Sequence, residues 1–202
     1  EGRYLLSFCN NTSPVFILNF IVWKTLGQES LALPTLFILI LSPMFVSFLT
    51  RRFYLKGASC FPDIRTAKQE KKKLDFTVVD ACMMNSFEAI VKVGGYIILF
   101  SVLLTLIKEL PWENPALNLL LPTLEVTNGI LILHQFSFPF ILEYPAILAL
   151  TSFGGLCSIA QTQCMIQKTG FPILPYIIEK LAAALAASLL ALCYLFLQGL
   201  TL

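Results

Sequence analysis

The sequence predicts an all-α polytopic membrane protein built from inverted repeats, and three observations lead to this fold class. Of its 202 residues, 57% are hydrophobic and 13% are charged, with a mean hydropathy of +0.79, which is unlike a soluble domain. Several apolar runs approach the roughly 20 residues that an α-helix needs to cross a bilayer. Two apolar segments are interrupted midway by small and polar residues, which is typical of discontinuous helices.

The two interruptions resemble each other, and their surroundings repeat. Residues 152–158 (SFGGLCS) match residues 7–13 (SFCNNTS) at the first, second and last positions. Glycine weakens a helix by about 1 kcal/mol, and unpaired polar groups are costly in lipid. Each copy is followed by an apolar half-helix, a short polar loop and a full span (15–26 then 31–49; 159–166 then 173–197). Corresponding breaks in two halves of a membrane protein indicate a transporter binding site.

Residues 1–50 are expected to form the C-terminal part of the first repeat, which is a broken helix followed by a full span. Pro14 suits the first turn of the resuming helix, because its missing N–H would have no partner there. Pro43 is expected to kink the full span. Because the sequence opens directly before the first break, we expect the earlier half of this repeat to precede it in a longer protein.

A polar cluster separates the two halves of the first broken helix: Asn10, Asn11, Thr12 and Ser13. At the positive N-terminus of the resuming helix, these side chains would form an anion site that lines a cavity. The alternative is an ordinary N-cap at the end of a loop. The similarity between the two breaks favours the cavity.

Residues 51–75 form a basic loop that is predicted to be cytoplasmic. Eight of the 14 lysines and arginines lie between Arg51 and Lys73, and such loops stay on the inner side of the membrane. Nucleic-acid binding by the lysines at 71–73 is the rival interpretation. It is disfavoured because the run is short, has acidic neighbours and abuts a membrane helix, so no nucleic-acid partner is expected.

The second repeat is expected to occupy residues 76–202, beginning with an amphipathic helix over 76–92 that lies on the cytoplasmic surface. Glu88 and Lys92 would pair one turn apart on its polar face. A span over 93–107 would follow, and its two adjacent glycines would let another helix pack closely.

Residues 116–142 predict a re-entrant hairpin with its tip at the membrane midplane. Two apolar runs of roughly 10 residues, each about half the hydrocarbon core in length, flank the sequence Glu-Val-Thr-Asn-Gly at 125–129. Glu125 would be an intramembrane carboxylate. It would either pair with a cation or proton, accept hydrogen bonds that hold the tip, or bond the backbone of a neighbouring broken helix. These alternatives stay open.

The chain is then expected to return to the interface at Glu143 and Tyr144, with His134 packed or interfacial in preference to a proton relay. A broken helix over 145–168 and a full span over 173–198 complete the repeat. With the basic loop inside, the two broken helices run in opposite directions, as an inverted repeat requires.

Four stretches of the sequence carry a resemblance to a known family: RYLLSFCNNTSPVFI (3–17), KVGGYIILFS (92–101), LEVTNG (124–129) and SFGGLCSIAQ (152–161). Together they resemble the nucleoside-recognition or Gate domain proteins, and more closely the YlbJ-type stage V sporulation integral membrane proteins of endospore-forming Firmicutes. This resemblance implies transport of dipicolinate through the outer forespore membrane into the forespore. A more distant similarity to concentrative nucleoside transporters implies the order hairpin, broken helix, full helix in each repeat.

The predicted function is therefore membrane transport, although the residues alone indicate only a small polar solute at the midplane. No Arg or Lys lies at either break in the sequence, so an anion would be held by helix ends and amides. A neutral, nucleoside-like solute is an alternative. Lys180 is expected to snorkel or to pair with its neighbour Glu179. A second alternative is a non-transporting membrane scaffold for spore maturation.

The candidate binding residues come from both breaks and the hairpin tip: Asn10, Asn11, Thr12, Ser13, Glu125, Thr127, Asn128, Ser152, Gly154, Gly155, Ser158 and Gln161. The glycines would allow close backbone approach, and the polar side chains would be hydrogen-bonding ligands. No catalytic spacing is recognised, so no enzyme is predicted. No cofactor or metal is predicted, and the six cysteines are read as small hydrophobes. A coupling ion and homo-oligomerisation are left open.

Overall fold

The computed structural model describes residues 2–55, 76–110 and 120–199, and these residues contain helices and no strand. Most of the basic loop (56–75) and the stretch 111–119, which includes the first four residues of the predicted hairpin, lie outside the described residues. The helices are α1 (Gly2–Cys9), α2 (Pro14–Leu26), α3 (Ala32–Leu55), α4 (Phe76–Glu109), α5 (Val126–Gln135), α6 (Phe140–Phe153), α7 (Gly155–Ile166) and α8 (Leu174–Leu197).

Within the described residues, four helical segments are long and apolar enough to cross a membrane: Glu29–Arg51, Phe76–Glu109, Phe140–Ile166 and Leu174–Leu197. They confirm the all-helical, membrane-type fold class. The third segment is α6 and α7 taken together, which are separated only by the break at Gly154. The inverted relation between the two repeats stays a prediction.

Helix α2 differs from the expected half-helix, because most of it is π-helical. Pro14 opens it in the first turn as predicted, and the π-helix then runs over Ile17–Leu26. The Thr25 hydroxyl donates to the carbonyl of Phe20 at 2.8 Å, five residues earlier. Wide π-turns are rare and occur mostly at functional sites.

The core lies where α3, α6 and α8 pack together. Ala183, Ala187 and Ala191 recur every four residues on α8 and are buried. Because small side chains at this spacing form one flat stripe, neighbouring helices can approach closely. This stripe makes α8 the central helix of the described fold.

Helix α6 begins at Phe140, five residues before the start predicted for the broken helix, so Glu143 and Tyr144 lie in its first two turns. Their position at the membrane interface stays a prediction. Tyr144 is fully buried, and its hydroxyl lies 3.0 Å from the Thr35 hydroxyl on α3. A buried tyrosine needs such a partner for its hydroxyl. The hydrogen bond therefore ties α6 to α3.

Helix α4 is one continuous helix of 34 residues, not the predicted surface helix followed by a separate span. At 1.5 Å per residue it is about 51 Å long, well beyond the hydrocarbon core. The predicted ion pair forms, with Lys92 donating to the Glu88 carboxylate one turn earlier, and it supports the helix where a boundary was expected. Among the described residues, no atom lies within 4 Å of a Cβ built at Gly94 or Gly95, so the close helix packing expected there is not seen in this part of the chain.

Candidate functional site

The second break is a two-glycine turn between α6 and α7. Gly154 has φ +82° and Gly155 has φ +76°, both in the left-handed region that glycine adopts without steric cost. The Gly154 N–H donates to the Leu150 carbonyl at 2.9 Å and closes the last turn of α6. A Cβ on Gly155 would lie 3.0 Å from the Thr123 carbonyl oxygen. The turn therefore requires glycine for its backbone angle and for its packing.

The hairpin tip packs directly against this glycine turn. The chain passes through a short 3₁₀ turn at Leu121–Thr123 and reverses before α5. A Cβ on Gly129 would lie 2.0 Å from the Pro122 carbonyl oxygen, so the two arms touch through backbone alone. The Cys157 N–H of α7 donates to the Leu124 carbonyl at 2.9 Å. The tip and the second break are thus joined by a main-chain hydrogen bond.

Glu125 caps the N-terminus of α5. Its Oε1 accepts from the Thr127 N–H at 2.9 Å, and its Oε2 accepts from the Asn128 N–H at 2.8 Å. The residue is 3% exposed. Among the sequence alternatives, this geometry is that of an acid holding the tip, because the bonded N–H groups belong to its own helix. The free N–H groups and positive end of a helix stabilise such a carboxylate.

Asn128 supports the same tip from the side. Its Nδ2 donates to Glu125 Oε2 at 2.8 Å and to the Ser101 hydroxyl of α4 at 3.0 Å. The side chain therefore faces α4 and the cap.

The first break, residues 10–13, is non-helical and polar. Ser13 caps α2 by accepting from the Phe16 N–H at 3.2 Å. Asn10 reaches across to α7 and α8, where its Nδ2 donates to Thr162 Oγ1 at 2.9 Å and to the Tyr176 hydroxyl at 2.8 Å. The first break is therefore held by side chains of α7 and α8.

A weak hydrogen bond joins the first break directly to the last turn of α6. The Thr12 hydroxyl donates to the Thr151 carbonyl at 3.4 Å, three residues before Gly154. Two interruptions separated by about 140 positions in the sequence are consequently neighbours in space.

Lys180 is the residue that the sequence interpretation missed. It is 3% exposed, and its Nζ donates to the Asn10 carbonyl and to Asn11 Oδ1, the latter at 3.0 Å. The expectation that it snorkels is wrong, and although neither break contains a lysine in the sequence, folding brings this one to the first break. Its position two turns into a predicted span was the available signal, because an intramembrane charge is functional by default.

The two breaks, the hairpin tip and Lys180 line a cavity of about 470 Å³. Of the predicted site residues, it is lined by Asn10, Asn11, Thr12, Ser13, Glu125, Thr127, Ser152, Gly154, Ser158 and Gln161. It is also lined by Phe16, Val93, Ile97, Val126, Thr151, Cys157 and Lys180. Gly155 and Asn128 are absent from the lining, since Gly155 packs on the hairpin tip and Asn128 faces Ser101.

No protein-family model, curated protein or solved structure matches this chain. The site therefore has to be interpreted from its own geometry. Over residues 2–55, 76–110 and 120–199, no group of three or more histidines, cysteines or acids is arranged to hold a metal ion. His134, whose Nδ1 lies 2.6 Å from Glu143 Oε1, is half-exposed and does not line the cavity.

Proposed function

We propose that this protein moves a small polar or anionic solute across a membrane, and that the solute is dipicolinate carried into the forespore during sporulation. The single observation that carries the transport proposal is the cavity between the breaks. The choice of dipicolinate, the sporulation setting and the outer forespore membrane rest on the family resemblance alone.

The cavity supports transport because of what lines it. Irregular backbone at membrane depth is tolerated where it is buried in protein or lines a cavity. Here two interrupted helices and a hairpin tip meet at one volume of about 470 Å³, which lies within the range of small-molecule sites. Hydroxyls, amides and unwound backbone face it, so a polar solute would replace its hydration shell with protein groups.

The mechanism that fits this arrangement is alternating access in an inverted-repeat fold. The polar first break would move relative to the glycine turn and the hairpin tip, opening the cavity to one side and then to the other. The few direct links between the breaks, such as the 3.4 Å bond of Thr12, would be exchanged during that movement.

Two other functions fit parts of the geometry. A nucleoside-like solute is favoured by the many neutral hydrogen-bonding groups, because Asn, Ser, Thr and Gln can pair with a base and a ribose. A non-transporting scaffold for spore maturation is favoured by the close backbone contact of the hairpin, where Gly129 touches Pro122. A scaffold would not require a polar cavity, whereas a transporter needs one to bind its solute.

Uptake of radiolabelled dipicolinate into vesicles that contain the full-length protein tests the proposal, with and without ion gradients. The informative variant is Gln161→Ala, because Gln161 lines the cavity and its side-chain amide makes only a weak 3.1 Å contact with Cys157 Sγ. Gln163→Ala is the matched control on the same helix, since Gln163 is exposed and outside the cavity lining.

We expect Gln161→Ala to lower uptake by about tenfold, the effect of losing one good hydrogen bond to the solute, and Gln163→Ala to leave it unchanged. Folded protein that gives no uptake above empty vesicles under any gradient contradicts transport of this solute. In sporulating cells, loss of dipicolinate accumulation with normal protein level and location supports transport over a scaffold.

A further inference from the structure

Lys180 places an ammonium group at the wall of the cavity. It lies in the second turn of α8, is 3% exposed, and lines the cavity together with the first break. Its Nζ donates to the Asn10 carbonyl and to Asn11 Oδ1. Both acceptors are neutral. The charge is therefore buried against groups that orient it without neutralising it.

The ammonium retains one unused donor. A lysine ammonium has three N–H groups, and two of them are used by the first break. Among the described residues, no acceptor takes the third and no carboxylate pairs with Lys180. The Tyr176 ring is the other close neighbour, with its centroid 5.7 Å from Nζ. Burying an ammonium with no anion in contact is costly, so the arrangement favours an anionic ligand.

The other charge on the cavity wall cannot take that role. Both oxygens of Glu125 already accept N–H bonds, from the backbone of Thr127 and Asn128 and from the Asn128 amide. Glu179 precedes Lys180 on α8, so its side chain departs about 100° around the helix. It does not line the cavity, and in the described part of the chain it acts on Lys180 only through space, without an ion-pair contact.

We propose that Lys180 binds a carboxylate of the solute and makes the site selective for carboxylate-bearing molecules over neutral ones of the same shape. The inference rests on the proposed transport function and extends it to a substrate class and a residue. The third N–H would form a charge-assisted hydrogen bond, which is shorter and stronger than a neutral one. The N-terminus of α2 beside it adds partial positive charge.

Ligand binding to the purified full-length protein tests this inference without requiring transport. The probes are pyridine-2,6-dicarboxylate and its neutral counterpart pyridine-2,6-dicarboxamide, measured by calorimetry at matched ionic strength. The variants are Lys180→Met, which removes the charge, and Lys180→Arg, which keeps it. Lys24→Met is the control, because Lys24 is an exposed lysine outside the cavity lining.

We expect the wild type to bind the dicarboxylate at least about tenfold more tightly than the dicarboxamide, as a charge-assisted bond to a buried ammonium requires. Lys180→Met should abolish that preference, whereas Lys180→Arg and Lys24→Met should preserve it. The ratio of the two affinities is the readout, because damage to the fold weakens both probes together.

Three results would overturn the inference: equal wild-type affinities, no wild-type binding of the dicarboxylate, or an unchanged preference in Lys180→Met. If Lys180→Met does not fold, Lys180→Gln serves as the uncharged variant, and an unchanged preference there overturns the inference. Failure of the transport function is a separate result. Wild-type protein that shows the expected ratio, with that ratio lost in the uncharged variant, but gives no vesicle uptake would refute transport and retain the role of Lys180.

Discussion

The two breaks interrupt their helices in different ways. The first is four residues of non-helical chain, 10–13, whose side chains are amides and hydroxyls. The second is the pair Gly154-Gly155, which turns the chain through left-handed angles and leaves almost no side chain behind. One break exposes functional groups, and the other exposes backbone.

Their supports differ accordingly. The second break is pressed against the hairpin tip, where Gly155 approaches the Thr123 carbonyl and the Cys157 N–H bonds the Leu124 carbonyl. The first break is held by the side chains of Thr162, Tyr176 and Lys180, which are polar groups that can exchange partners. The comparison teaches that the glycine break is fixed by shape, while the polar break is held by exchangeable hydrogen bonds. The first break is therefore the better candidate for the moving part.

The largest loss of thermal stability is expected when a methyl group is added to the glycine break. Gly155→Ala places a Cβ 3.0 Å from the Thr123 carbonyl oxygen at a φ of +76°. The left-handed conformation and the overpacking together should cost about 3 kcal/mol. The measurement is the loss of apparent melting temperature in detergent.

Gly170→Ala is the matched control for that substitution. Gly170 has a similar φ of +67°, but a Cβ there would meet no atom within 4 Å. Only the conformational cost of about 1 kcal/mol should remain. Equal losses in the two variants would mean that the hairpin tip does not hold the second break by shape.

An intermediate effect is expected at the polar break. Asn10→Ala removes the side-chain bonds to Thr162 and Tyr176 but leaves the Asn10 carbonyl that Lys180 contacts. Two hydrogen bonds lost at a part-buried site should cost about 2 kcal/mol. Asn19→Ala, at an exposed position of α2, should change the melting temperature little. If Asn10→Ala lowered the melting temperature as much as Gly155→Ala does, the two breaks would be equally rigid and the comparison would fail.

The smallest effect is expected at the direct link between the breaks. Thr12→Val keeps the shape of the side chain and removes a hydrogen bond of 3.4 Å to the Thr151 carbonyl. Such a long bond should contribute less than about 0.5 kcal/mol. A drop in thermal stability beyond that of Asn10→Ala would show that the breaks are joined through Thr12 and not through α7 and α8.

Local chemistry made several features predictable. Pro14 marks the resuming helix because only a first turn accepts a residue without an N–H. The glycine pair at 154–155 marks the second break because no other residue adopts two left-handed angles without strain. Ten of the twelve candidate site residues line the cavity because polar groups inside apolar segments have few other places to lie.

Other features could not be read locally. The boundary expected at residue 92 is absent, because nothing in α4 interrupts the helix, and a hydrophobic pattern alone does not distinguish a surface helix from the end of a long span. The burial of Tyr144 could not be predicted, because the hydroxyl that it contacts belongs to Thr35, 109 positions away in the sequence.

The sequence by itself determined the helical membrane architecture, the positions of the breaks and the polar character of the site, because these depend on the hydropathy and backbone preferences of neighbouring residues. Only the tertiary structure decided that Lys180 donates a hydrogen bond to Asn11, 169 positions away in the sequence. It also decided that the Glu125 carboxylate accepts hydrogen bonds from the N-terminus of its own helix. A charge acquires its role from the groups around it, and folding alone brings those groups together.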